Sequence, residues 1–140
     1  MTKSSRPYGA LGRRFGPTAL ITGASDGIGR AFATQLAEQG FDLILVARRE
    51  ATLRDLATDL VGRFDVGVQV LAMDLTDPGS VAALMTRTEG TPVGLVVAAA
   101  GFGSIGPLLE RDIASELEMV DLNCRDLTPV AHPVATGIAC

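Results

Sequence analysis

With 140 residues, 47% of them hydrophobic and 20% charged, the chain can bury one real core, which excludes a disordered polypeptide and makes a single domain the default. A formal net charge of −4 excludes general nucleic-acid binding, which needs clustered lysine and arginine to neutralise phosphates. No apolar run approaches the roughly 18 residues of a membrane span, and Cys124, Cys140 and the lone histidine His132 stand in no metal-ligand spacing, so neither a membrane nor a metal is expected and a reducing cytoplasm is the expected location.

Residues 1–15 read as a basic, glycine-rich tail, and residues 16–140 as one domain. The first strand is Thr18 to Thr22. It runs into "GASDGIG", a glycine-rich elbow, and then into a helix with Ile28, Phe32, Leu36 and Ala33 predicted on its buried face and Gly40 at its end. Strand two, Asp42 to Val46, is a continuous apolar run of the kind covered on both faces. A second helix follows from Glu50 to Gly62, with Leu53, Leu56, Ala57 and Leu60 on one side. Strand three lies in "VGVQVLA" from Val66. In "MDLTDPGS", Asp77 is expected to cap a short third helix with Pro78 in its first turn, ending near Thr88. Strand four is Gly94 to Ala100, followed by the loop "GFGSIGP". Ile113, Leu117 and Val120 mark a fourth helix, which Pro129 is expected to interrupt, because proline lacks the amide and clashes with the preceding turn.

Strands alternating with helices predict an α/β fold, a doubly wound parallel sheet. Right-handed crossovers give the order 3-2-1-4, with the reversal between strands one and four. Ligands of such sheets bind in the crevice at the strands' carboxyl ends, at that reversal. The elbow sits there. Its spacing, Gly23, Gly27 and Gly29 in G-x-x-x-G-x-G, is not that of a triphosphate-binding loop, which ends in Gly-Lys-Ser/Thr. Unpaired amides at a helix N-terminus carry partial positive charge and suit a phosphate. Gly23 would permit the turn off the strand, Gly27 the approach of a pyrophosphate to backbone, and Gly29 close helix packing. A strand-to-helix turn that needs glycine for geometry alone is the competing reading.

Three further sites stand in register with the elbow. "TGASDGIG" (Thr22 to Gly29), "DL" at Asp74 and Leu75, "AAAG" (Ala98 to Gly101) and "DLNC" around Asn123 together resemble the classical short-chain dehydrogenase/reductase family from about Gly16 to Thr128. The resemblance implies a Rossmann-like fold, NAD or NADP as cofactor, and hydride transfer between nicotinamide and a small-molecule alcohol or carbonyl. It implies cofactor contacts at Gly23, Ser25, Gly27, Ile28 and Gly29, an adenine contact at Asp74 with the Leu75 amide beside it, backbone contacts at Ala100 and Gly101, and a catalytic water network supported by Asn123. "AAAG" departs from the family's Asn-Asn-Ala-Gly, so the side-chain contacts of those asparagines are lost. Asp74 also suits a plain turn, and Asn123 a polar position at a helix kink.

The cofactor choice follows from charge. An acidic residue near the end of strand two would bind the ribose 2′-hydroxyl of NAD. Ala47 stands there instead, followed by Arg48 and Arg49. A guanidinium pairs with a 2′-phosphate through charge-assisted hydrogen bonds and offers a diol little, so NADP is favoured over NAD. Arg49 could equally begin a solvated helix face. Asp26 is a departure, since a carboxylate in the elbow repels phosphates.

The resemblance also implies a serine and a Tyr-x-x-x-Lys pair. The only tyrosine is Tyr8 and the only lysine Lys3, both ahead of strand one, and relatives run on for about another hundred residues, within the single-domain range. His132, between Pro129 and Pro133, reads as a surface residue. The expected function is the NADP(H)-binding portion of a short-chain oxidoreductase, inactive by itself. The alternative is a non-catalytic nucleotide-binding or interaction module, and S-adenosylmethionine is the weakest ligand candidate. Strand four, as an uncharged open edge, together with helix four, predicts self-association.

Overall fold

The computed structural model describes residues 9–138, with side chains through His132; Lys3, Tyr8 and Cys140 lie outside the described residues. The chain enters through a short helix, α1 (Ala10–Phe15), inside the segment read as a tail. The Gly9 amide donates to Gln39 O at 3.0 Å, and the Phe15 carbonyl lies so close to Gly94 that a Cβ there would overlap it. Strands β1 (Thr18–Thr22), β2 (Asp42–Ala47), β3 (Val68–Ala72) and β4 (Val93–Ala98) form one parallel sheet in the order β3-β2-β1-β4. This is the predicted order, with β1 and β2 as the inner strands.

Alternation along the two inner strands divides the core. Ala19 and Ile21 of β1 and Leu43 and Leu45 of β2 face helices α2 (Gly27–Glu38) and α3 (Glu50–Phe64). Their partners there are Ala33, Leu36, Leu53, Leu56 and Leu60. Leu20, Ile44 and Val46 point the other way, onto Leu84 of α4 (Ser80–Thr88) and Val130 of α6 (Leu127–Ile138). The buried Asp42 carboxylate accepts from the Gly67 amide at 2.7 Å, which ties the entry of β3 to the start of β2.

Four expectations are corrected. Ile28 and Phe32 are 71% and 44% exposed, because the close seat of Gly29 on the elbow turns α2 so that Gly29, Ala33, Leu36 and Ala37 face the sheet. Helix α3 continues to Phe64 and stops where Asp65 turns left-handed at φ 53°. Helix α4 starts at Ser80 behind Gly79, with no side-chain cap; Asp77 instead accepts the Ser80 amide through its backbone carbonyl at 3.1 Å within a run of turns. Pro129 does not interrupt the last helix. Helix α5 (Ile113–Val120) passes through a π-wound stretch (Asp121–Asp126) into α6. The wider π winding makes room ahead of the proline ring, and the Thr128 hydroxyl donates to Cys124 O at 2.7 Å. His132 is exposed, as is Cys124.

Among the described residues, no helix is long and apolar enough to cross a membrane, and no group of three or more His, Cys, Asp or Glu side chains could hold a metal ion.

Candidate functional site

A cleft of about 640 Å³ opens at the carboxyl ends of the strands. It lies at the reversal between β1 and β4, where an open parallel sheet leaves adjacent loops diverging.

The elbow forms its floor. Gly23 leaves β1 at φ 67°, and a Cβ there would stand 2.6 Å from Ala99 O and 2.7 Å from Ala100 N. Only glycine fits both the left-handed turn and that contact. The Thr22 hydroxyl accepts from the Ala100 amide at 3.1 Å, so the ends of β1 and β4 are pinned together. Behind the floor, a Cβ on Gly29 would collide with Gly23 O, which sets how closely α2 seats. Gly27, at φ 51°, has no atom within 4 Å of the corresponding position, leaving its cleft side open to a ligand. Asp26 caps α2 by accepting from Gly27 N at 2.8 Å. The next first-turn amides, Ile28 and Gly29, have no intrahelical carbonyl to meet.

The end of β2 supplies the cations. Arg48 and Arg49 both line the cleft. Arg49 reaches back over the elbow: Nη2 donates to Ser25 Oγ at 3.3 Å and lies 3.6 Å from Asp26 Oδ2. The carboxylate expected to repel phosphates is therefore bridged to one of the two arginines expected to attract them.

The end of β3 supplies an acceptor. Asp74 Oδ1 accepts from the Thr76 hydroxyl at 2.7 Å and from the Thr76 amide at 3.0 Å. These two bonds, with the nearby positive charge of Arg48, hold its carboxyl below the ordinary aspartate range against the opposing effect of burial. Leu75, beside it, is buried. Across the cleft, Asn123 sits in the π-wound stretch and grips the backbone of Phe102: Oδ1 accepts from Phe102 N at 3.1 Å, and Nδ2 donates to Phe102 O at 2.9 Å. Gly101 passes directly beneath that amide, with room for a Cβ only 2.5 Å from Asn123 Oδ1.

Of the residues singled out from the sequence, Gly23, Ser25, Gly27, Ile28, Arg48 and Arg49 line this one cleft, as do Asp74, Leu75, Ala100 and Gly101. Gly29 and Asn123 do not line it; one seats the helix behind it and the other braces its rim. Thr22, Thr76 and Phe102 were not anticipated. The D-x-T spacing of Asp74 and Thr76 is a turn signal that could have revealed the second, whereas nothing local marks Phe102.

Residues 17–136 match the family model for short chain dehydrogenases. The chain belongs to the short-chain dehydrogenase family. It is 33% identical over 138 residues to a very-long-chain 3-oxoacyl-CoA reductase of Scheffersomyces stipitis, a match spanning 96% of this chain and 39% of the reductase. Among solved structures, it is similar to the bulky-bulky ketone specific alcohol dehydrogenase from Comamonas testosteroni, with a TM-score of 0.82, 37% identity and coverage of 88% of this chain and 50% of that one. It is also similar to a short-chain dehydrogenase from Sphingobium yanoikuyae in complex with NADPH, with a TM-score of 0.81, 38% identity and coverage of 86% and 48%. The chain thus spans half or less of the length of these short-chain dehydrogenases.

Proposed function

We propose that this chain is the NADP(H)-binding portion of a short-chain oxidoreductase, and that the whole protein moves hydride between nicotinamide and a small-molecule alcohol or carbonyl. One observation carries the reading: the glycine elbow, with its open helix N-terminus, shares a cleft with Arg48 and Arg49 at the end of β2, where an acid would select NAD. The donor set fits the cofactor. First-turn amides of α2 and the Ser25 hydroxyl suit a pyrophosphate, the two guanidiniums suit a 2′-phosphate, and ionised Asp74 suits an amino group. Ala100 and Gly101 offer only backbone to the ribose side. Asn123 acts here by holding the Phe102 turn over the cleft, and a role in a catalytic water network belongs to the whole protein. Bound nicotinamide supplies the hydride chemistry; the residues of this chain bind and orient it.

The NADPH complex of the Sphingobium relative supports the cofactor, and the names of the ketone-specific dehydrogenase and the 3-oxoacyl-CoA reductase support a carbonyl or alcohol substrate. A cytoplasmic location fits the exposed free thiol of Cys124. The test is the thermal midpoint of the chain with and without NADPH. A ligand of the folded state alone, at a hundredfold excess over Kd, stabilises by about 2.7 kcal/mol, so the midpoint rises. A midpoint unmoved by NADPH and NADH refutes the reading.

A further inference from the structure

We infer that Arg111 is a positioning residue for the cofactor: it latches the loop after β4 onto α5, and so pre-orders the rim that NADP(H) packs against. The inference rests on the reading of the cleft as an NADP(H) site and assigns a role to a residue that does not line it.

The rim segment Ala99 to Phe102 lines the cleft, as do Glu118 and Leu122 from the helical side. Beyond Phe102 the chain makes a loop that burial does not hold, since Ile105, Leu108 and Leu109 are 69% to 102% exposed. Polar contacts hold it instead, and they converge on Arg111. A 3₁₀ turn at Leu108–Glu110 brings Arg111 back over the start of the loop, where Nη1 donates to Ser104 Oγ at 2.5 Å and Nη2 to Gly106 O at 2.7 Å. Nη1 also donates to Glu116 Oε1 at 3.1 Å, and the Ser104 hydroxyl donates to the same oxygen at 2.8 Å. Glu116 and Asn123 stand on one continuous helical run. The loop is therefore fastened to it twice, at Ser104 through Glu116 and at Phe102 through Asn123.

This ion pair differs from those on the surface. The side chains of Arg111 and Glu116 are 20% and 14% exposed, against 41% to 78% for Arg54–Glu50, Arg63–Asp59 and Arg125–Asp121, so solvent and salt screen it less. Only a fork of donors joins a carboxylate, a hydroxyl and a carbonyl at once; lysine has the charge without the fork. A rim held in place before the ligand arrives spares binding the cost of ordering it, and loosening the rim shows that cost mainly as faster dissociation.

Stopped-flow dissociation and calorimetric titration of the 140-residue chain with NADPH and with NADH test this. Removing Arg111 alone would strand the Glu116 carboxylate, so the principal variant combines Arg111→Met with Glu116→Gln. It should release both cofactors about tenfold faster, keep association within about threefold, and bind with a larger entropic penalty. Both cofactors should respond equally, because Arg48 and Arg49 stand at the end of β2, across β1 from this loop. Arg111→Lys, which keeps the charge opposite Glu116, should fall between wild type and the double variant. Amide exchange at Phe102 to Gly106 should rise in the same order, with the thermal midpoint as the check on global stability. Ser104→Ala removes only the bridging hydroxyl and should speed release about threefold, which keeps the test open if the double variant does not fold.

Unchanged dissociation in the double variant, with exchange at Phe102 to Gly106 raised, would show a latch that shapes the loop alone and would overturn the inference. So would a loss confined to association, or a loss for NADPH and not NADH. A wild-type chain that binds neither cofactor overturns the reading of the cleft, and this inference with it; a wild-type chain that binds NADPH while no variant alters its release overturns the inference alone.

Discussion

Substituting Gly29 by alanine tests whether close seating of α2 on the elbow holds the site together. The added Cβ would collide with Gly23 O and stand 2.7 Å from Gly23 C and 3.1 Å from Ala24 N. All three are backbone atoms, so no side chain can swing aside. The helix must retreat, and Ala33, Leu36 and Ala37 on the same face, each 6% exposed or less, lose packing against β1 and β2. Overpacking of this kind costs about 3 kcal/mol. For a domain of this size that corresponds to a fall of roughly 10 °C in the thermal midpoint. Two controls separate packing from intrinsic glycine effects. Gly27→Ala meets no neighbour but imposes a left-handed alanine at φ 51°, which costs about 1 kcal/mol. Gly62→Ala, in the exposed interior of α3 with nothing within 4 Å, should raise stability by about 0.5–1 kcal/mol. Thermal and urea denaturation monitored by circular dichroism rank the three. A G29A chain as stable as G27A would refute the packing argument.

Thr76→Val removes the hydroxyl that does most to lower the Asp74 pKa, so that pKa should rise toward the ordinary value of 3.8, as read by carboxyl-carbon NMR. Because the folded-state value lies below the unfolded one, Asp74 contributes stability above pH 3.8 that is lost as pH falls through its folded value. The stability gap between wild type and T76V should therefore close in acid; a gap that widens would contradict the assignment. Asn123→Ala frees both polar groups of the Phe102 backbone. In this exposed setting the loss is about 1 kcal/mol, with faster amide exchange at Phe102; protection unchanged there would show that the turn is held by something else.

Much of this architecture was legible because its signals are local and redundant. The apolar runs of β1 and β2 are long enough to be covered on both faces, and right-handed crossovers leave one order for four such strands. The residues that line the cleft were legible for the same reason, since β1, β2, β3 and β4 all deliver their C-terminal turns to one edge. The failures have a different origin. Ile28 and Phe32 fit the helical period as well as Ala33 and Leu36 do. Which face is buried was decided by Gly29 docking on Gly23, a contact with no side chain to announce it. Pro129 signals a helix break by every local rule, and the π winding from Asp121 to Asp126 that accommodates it carries no local signal of its own. The Arg49–Asp26 bridge joins residues on two successive crossovers, and only the assembled sheet brings them to 3.6 Å.

The central claim is that NADP(H) lies between the glycine elbow and the arginines that follow β2. Amide chemical-shift mapping of the isotope-labelled chain during titration with NADPH tests it most directly. The account predicts the largest shifts at Gly23 to Gly29, at Arg48 and Arg49, and at Asp74 to Thr76, with NADH reproducing the elbow shifts but not those of the arginines. Shifts confined to other faces of the sheet, or none at saturating NADPH, would contradict it.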